Sequence, residues 1–300
     1  MEYDNLSICV PAYNEADVIH KTLTDLHEHF PGAEILFVDD GSTDETLEIA
    51  RSVEGITVLS HGRNIGYGAA IKTALRNSSR KAVAWVDADG QHRPEDLAKV
   101  VGPVQAGQAD AVIGVRARGS DYKVDRLPGK WVLRIIAQFI VRERIPDLNS
   151  GLRCFRKEVI MRYLHLLPDG FSASATSTLL MLKRGYRVEY QDIISEPRVG
   201  SSTVRVLRDG LGTIHLMVRI LILFEAFAFF TFLSLLQIVP GLIYGVAMAV
   251  FTGHGVPVLA STVVISGLLT FFMGLICDQI VALRKEKFEE ESYPVSARRP

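Results

Sequence analysis

The chain has 300 residues, 48% of them hydrophobic, with 33 Lys and Arg against 34 Asp and Glu and a formal net charge of −1. The near-neutral total gives no expectation of a nucleic-acid partner. Three cysteines, Cys9, Cys154 and Cys277, without ligand spacing exclude a thiolate metal site and suit reduced, structural thiols. The charge is unevenly spread, however: residues 1–115 carry a net of −9, residues 116–219 a net of +9, and residues 220–300 a net of −1.

Leu6-Ser7-Ile8-Cys9-Val10 reads as a first strand stopped by Pro11, with Ala12-Tyr13-Asn14-Glu15 behind it and a helical pattern to about Phe30. A second strand, Ile35-Leu36-Phe37-Val38, ends in Asp39-Asp40-Gly41-Ser42. Ser42 with Glu45 three residues later has the form of a capping box, which predicts a helix directly after the carboxylates. A third strand, Ile56-Thr57-Val58-Leu59, leads through Arg63-Asn64-Ile65-Gly66-Tyr67-Gly68 into another helix. Gly66 and Gly68 read as a close strand-to-helix turn. A dinucleotide fingerprint would follow the first strand and needs a third glycine, where position 71 is Ile.

The fourth strand, Val83-Ala84-Trp85-Val86, runs into Asp87-Ala88-Asp89-Gly90-Gln91-His92, and a fifth lies near Ala111-Val112-Ile113. Alternation at this spacing predicts a mostly parallel, Rossmann-like α/β sheet with helices on both faces. Such sheets bind ligands outside the carboxyl ends of their strands, the edge to which the spacing assigns Asp39-Asp40 and Asp87-Asp89. Asp87, Asp89 and Gln91 offer hard oxygen donors on one short loop. These suit Mg²⁺ or Mn²⁺, which take one or two carboxylates and fill the remaining positions with water and phosphate oxygens. A solvated acidic turn is the alternative. Trp85 reads as core and His92 as a loop residue.

Residues 226–251 contain no charged side chain. At about 1.5 Å per residue they reach roughly 39 Å, more than the ~30 Å hydrocarbon core of a bilayer. The turn Thr252-Gly253-His254-Gly255-Val256-Pro257 joins them to a second apolar stretch, 258–283, whose one charge is Asp278, so a two-helix transmembrane hairpin is predicted. Arg205, Arg208 and Arg219 precede the hairpin, Arg284, Lys285 and Lys287 follow it, and its turn has neither Lys nor Arg. The positive-inside rule then puts the preceding domain in the cytoplasm, as part of a two-pass integral membrane protein. Residues 204–225 mix Leu and Ile with Arg, as an amphipathic interfacial helix does, with Glu225 at headgroup depth. The acidic opening, Met1-Glu2-Tyr3-Asp4-Asn5, does not read as a leader. The expected division is a catalytic domain over 1–203, an interfacial helix over 204–225, spans at 226–251 and 258–283, and a polar cytoplasmic tail over 284–300, unstructured from Glu286 on.

The segments VPAYNEADVI, VDDGSTDET, RNIGYGAAIKTAL and WVDADGQHRPEDL, in that order, resemble the nucleotide-sugar-dependent glycosyltransferases of family 2, with the GT-A fold. NSGLRCFRKEV and PRVGSST resemble the branch that glycosylates polyprenyl phosphate, such as dolichyl-phosphate mannose synthases. The resemblance covers about residues 4–210. It departs at Thr203, where typical members carry Lys. It implies that the backbone around Pro11, Ala12 and Tyr13, with Glu15 and Asp40 or Asp39, holds base and ribose. Asp87 would lie near ribose and metal, and Asp89 and Gln91 would bind the Mg²⁺ or Mn²⁺ that neutralises the leaving diphosphate. The implied acceptor is a polyprenyl phosphate, dolichyl or undecaprenyl, which at pH 7 already carries about −1.5 to −2 charge. It needs positioning and charge compensation more than a base. Arg116, Arg118, Arg126, Lys130 and Arg134, followed by Arg153 and Arg198, are the candidates.

Asp147 matches an acidic position of the family. It either orients the acceptor, acts as a base, caps its own loop or pairs with Arg153. Asp89, Asp147 and Arg126 are the residues expected to carry an inverting transfer. A processive polysaccharide synthase would share the site but lacks support from a Q-x-x-R-W motif, and a silent membrane scaffold is the non-enzyme alternative. GDP-mannose, UDP-glucose and UDP-N-acetylglucosamine all fit as donors, and the oligomeric state is unknown.

Overall fold

The computed structural model describes residues 3–116, 138, 141, 143, 145–170, 172–196, 206–253 and 255–292; for 206–217, 220, 221, 223 and 284–292 it describes the backbone alone. The chain divides into two units, Met1–Gly210 and Leu211–Pro300. The strands of the first are β1 (Leu6–Ala12), β2 (Glu34–Asp39), β3 (Ile56–Ser60), β4 (Ala82–Trp85), β5 (Ala111–Arg116), β6 (Arg153–Arg156) and β7 (Val188–Ile193). Its helices are α1 (Ala16–His29), α2 (Thr46–Ser52), α3 (Tyr67–Asn77), α4 (Pro94–Gln105), α5 (Lys157–Arg162) and α6 (Ala173–Lys183).

The strands form one sheet in the order β3-β2-β1-β4-β6-β5-β7. All run parallel except β6, which is antiparallel to both neighbours. Six strand ends and the start of β6 therefore share one edge. All seven residues of β1 are buried, as a strand covered on both faces requires. Leu6, Ile8 and Val10 join Ile19, Leu23 and Leu26 of α1 and Leu97, Val100 and Val101 of α4 in one core cluster. Truncating a fully buried member such as Phe37 to Ala costs about 3–5 kcal/mol.

Three local expectations change. Pro11 does not stop β1, since it pairs with Val38 in the β2 register. The Cys9 carbonyl takes the Val86 N–H on the β4 side, so Pro11, two residues on, faces that side after β4's ladder has ended at Trp85. Pro11 has no N–H to continue the ladder on that side, while pairing with β2 runs on to Ala12. Ser42 is not a helix cap, because its hydroxyl accepts the Asn14 N–H at 3.0 Å and α2 begins only at Thr46. Asp44 accepts the Thr46 N–H and hydroxyl instead, and its other oxygen takes the Ala16 N–H at the start of α1. The strand-like run around Cys154 is β6, inserted between β4 and β5 and pairing Ala84 with Cys154 on one side and Val112 with Cys154 on the other.

The second unit contains α7 (Val206–Thr252), which begins in the first unit, and α8 (Val258–Ser292). Backbone angles at Glu225, φ −139° and ψ 45°, interrupt α7. The apolar lengths are Phe224–Thr252 and Val258–Leu283, with mean hydropathies of 2.0 and 2.1. The first starts two residues earlier and ends one later than charge alone put it. Only 17% of each apolar window is buried, which a core helix of a soluble protein would not show. Small residues let the two spans approach: Gly241 faces Val263 and Val264, and Gly245 faces Ala260. Gln237 bridges them, donating to the Thr270 hydroxyl at 3.2 Å and accepting from Ser266 at 2.9 Å. Beyond Leu283 the helix continues to Ser292, where an unstructured tail was expected. Residues 284–291 are mostly Arg, Lys and Glu, strong helix formers with no Pro or Gly among them.

Candidate active site

The carboxyl edge gathers the residues after β1, β2 and β4, the end of β5 and the approach to β6. The first two turns are stapled together. Asn14, in the left-handed region at φ 56°, donates its N–H to Ser42 and accepts the Thr43 N–H at 2.8 Å. Asn tolerates that conformation through its short polar side chain. The Glu15 N–H goes to the Thr46 hydroxyl at 2.8 Å, so Pro11, Ala12, Tyr13 and Glu15 sit on a turn held by the next one.

Asp39 and Asp40 are both buried and both bonded inside the protein. Asp39 accepts the Ser42 N–H and the Ser60 hydroxyl, the latter at 3.0 Å. Asp40 takes the N–H groups of Ile65 at 3.1 Å and Gly66 at 2.8 Å, and its Oδ1 lies 2.8 Å from His61 Nδ1. His61 Nε2 is 2.9 Å from the Thr73 hydroxyl. Asp40 thus fastens the loop before α3, as Asp39 fastens Ser42 and Ser60. Gly66 has φ 117°, and a Cβ on Gly66 or Gly68 would collide with the carbonyls of Asp169 or Pro168. The pair is the close turn that the sequence suggested.

Asp87 is half-buried. Its Oδ1 accepts the Tyr67 hydroxyl at 2.6 Å, and its carboxylate lies so close to Gly151 that a Cβ there would overlap Oδ2. Burial, then the Asp87 charge and the hydrogen bond to it, raise the Tyr67 phenol well above its ordinary pKa and keep it a proton donor. Asp89 is nearly buried and accepts the Gln91 N–H at 3.2 Å, a turn that folds the loop back on itself. Gln91 points its side-chain amide nitrogen at the Glu196 carbonyl, 3.0 Å away, and its main-chain carbonyl takes the Glu196 N–H. His92 bridges Ser195 in the same zipper, as a loop residue. The loop after β4 is therefore sewn to the one after β7.

No three His, Cys, Asp or Glu side chains converge on a metal position among the described residues. Asp87 and Asp89, with the Oε1 of Gln91, make the sparser donor set that Mg²⁺ or Mn²⁺ accepts when phosphates and water supply the rest. The residues fit such an ion.

Arg116 forms a two-pronged ion pair with Asp147, at 2.8 and 3.1 Å, and Asp147 also accepts the Asn149 N–H. Asp147 is thus paired with Arg116, not Arg153, and its lone pairs are directed at donors. Arg153 leaves the acceptor set. It is fully buried, stacks 5.3 Å over Trp85, and sends its fork to the carbonyls of Ser150 and Ser174 and the hydroxyls of Ser177 and Thr178. Burial lowers its pKa to about 10, opposed by Tyr67, Asp147 and Asp87, so it stays cationic at neutral pH. Charge counting could not separate it from the exposed arginines. Arg118, Arg126, Lys130, Arg134 and Arg198 lie outside the described residues. Sequence reasoning passed over Tyr67 and Gly151, whose only signals were a tyrosine between two glycines and a glycine in the NSGLR segment.

The model of glycosyl transferase family 2 matches residues 7–164. A dolichyl-phosphate hexose transferase of Haloferax volcanii is 29% identical over 211 residues, 69% of this chain and 90% of the relative. A UDP-N-acetylglucosamine–dolichyl-phosphate N-acetylglucosaminyltransferase of Methanococcus voltae is 29% identical over 176 residues, 51% of this chain and 70% of the relative. Among solved structures, glucosyl-3-phosphoglycerate synthase of Mycobacterium tuberculosis, crystallised with Mn²⁺, UDP and phosphoglyceric acid, superposes with a TM-score of 0.59 at 19% identity. The match covers 72% of this chain and 77% of that one. At that identity the likeness speaks for the GT-A fold.

Proposed function

The chain belongs to glycosyl transferase family 2, and from that premise we propose that it moves one sugar from a nucleotide-sugar to a polyprenyl phosphate, with inversion, at the cytoplasmic face of a membrane. One observation carries this reading: a single chain joins a GT-A carboxyl edge bearing Asp87 and Asp89 to two apolar spans long enough to cross a bilayer. A soluble acceptor would not need the spans. The relatives named for dolichyl-phosphate transfer support the same acceptor class.

In this reading the stapled turns after β1 and β2 present Tyr13, Glu15 and Asp39 to the nucleoside. Asp87, Asp89 and Gln91 would hold Mg²⁺ or Mn²⁺, and such an ion would supply charge neutralisation for the leaving diphosphate. The acceptor phosphate attacks as the anion it already is, so Asp147 is not needed as a base. Paired with Arg116, it holds that guanidinium at the rim of the site. Arg126 and its basic neighbours in 116–134 receive the acceptor's charge.

The test is transfer by the full-length protein in detergent, with Mn²⁺ or Mg²⁺, polyprenyl phosphate and a panel of labelled GDP- and UDP-sugars. A labelled lipid of one-sugar size from one donor is the expected product. A long polymer, or no transfer from any donor, overturns the reading.

A further inference from the structure

We propose that Tyr67 is a positioning residue that fixes Asp87 for a divalent cation; the inference rests on the donor-site reading above. Tyr67 opens α3, and its place is set from the neighbouring strand end. Asp40 at the end of β2 holds the Gly66 N–H, Gly66 turns the chain at φ 117°, and Tyr67 follows. Its hydroxyl then reaches Asp87 beyond β4, 2.6 Å away. The Ser174 side chain, in the first turn of α6, also acts on that phenol. The Ser174 carbonyl in turn receives Arg153. One continuous buried chain thus links both acidic strand ends to α6.

The two oxygens of Asp87 are held differently. The phenol occupies Oδ1, while the Gly151 backbone crowds Oδ2 from the other side and leaves no room for even a methyl group. A carboxylate gripped in this way cannot rotate to exchange its oxygens. Arg153 adds positive potential nearby, but its fork ends on carbonyl and hydroxyl oxygens, so it does not compete with a cation for Asp87 as a direct ion pair would. Outer partners of metal-binding carboxylates are worth about 10–100-fold in metal affinity, and Tyr67 has the geometry of such a partner.

The experiment measures Mn²⁺ binding by electron paramagnetic resonance in the full-length protein, with UDP and with GDP, for the parent, Tyr67→Phe and Gly151→Ala. Tyr67→Phe keeps the ring and removes only the donor; Gly151→Ala displaces Asp87 from the opposite side. Both variants are expected to bind Mn²⁺ about tenfold more weakly or worse. In transfer assays the Mn²⁺ requirement of Tyr67→Phe rises by the same factor, while kcat at saturating Mn²⁺ stays within about threefold of the parent, a split that general loosening of the fold would not give. Affinities within twofold of the parent in both variants overturn the proposal, as does a kcat loss that saturating Mn²⁺ does not restore. Weakened Mn²⁺ binding without sugar transfer from any donor supports the role of Tyr67 and sinks the acceptor reading instead. A parent that binds no Mn²⁺ with either nucleotide overturns both.

Discussion

Arg153 is a buried cation supported by the Ser150 and Ser174 carbonyls and by two hydroxyls of α6, so removing it strands acceptors that water cannot reach. Arg153→Met is expected to cost about 2–4 kcal/mol of stability, read as a shift of the urea midpoint. Asp89 belongs to the other kind of residue. Asp89→Ala should leave that midpoint nearly unmoved and abolish transfer under either metal, beyond the roughly 100-fold that outer partners cost; undiminished turnover would remove the metal assignment. A third expectation concerns protons. Burial, then the Glu34 charge, push the Cys9 thiol from 9.0 up to about 12, and burial raises Cys154 in the same direction. The folded state therefore keeps protons that the unfolded chain releases above pH 9. Stability is full below that pH and falls as pH rises toward 12, by about 1.4 kcal/mol per unit for each thiol. Cys9→Ala should flatten the alkaline slope of the urea midpoint.

The strands of the first half were legible because each is a short apolar run closed by Asp, Gly or Pro, and their alternation with helices leaves few arrangements. β6 was harder to read. Arg153-Cys154-Phe155-Arg156 is four residues long, and its direction is set by the slot between β4 and β5 rather than by its own pattern. The acidic strand ends were legible as an edge, but the assignment of each carboxylate was not. Asp40, Gln91 and Arg116 look alike in sequence whether they face a ligand or a loop, and partners 21 to 105 residues away decide which. The two spans followed from composition, whereas the Gln237 clamp between them needed the packed pair. Gln237→Leu should weaken the hairpin by about 0.6–2 kcal/mol, measured by denaturant titration in micelles, since polar bonds between spans are worth that much.

Charge and hydropathy together describe a protein with an acidic first third, a basic middle and a neutral apolar end. If the basic flanks of the hairpin stay inside, the turn between the spans faces the opposite compartment. Gly255→Cys should then react with an impermeant maleimide in intact cells and not in sealed inverted vesicles; the reverse labelling would place the catalytic unit outside. The position of β6 also dictates a schedule. Trp85 pairs with Arg153, 68 residues further along, so one flank of β4 stays bare on the ribosome for roughly 3–14 s at ordinary rates of synthesis. Val83 and Trp85 spend that interval as an open seam on a nascent polypeptide. β6, which covers that seam, and β7, the last strand of the sheet, both precede Phe224, so the whole sheet is synthesised before either apolar helix.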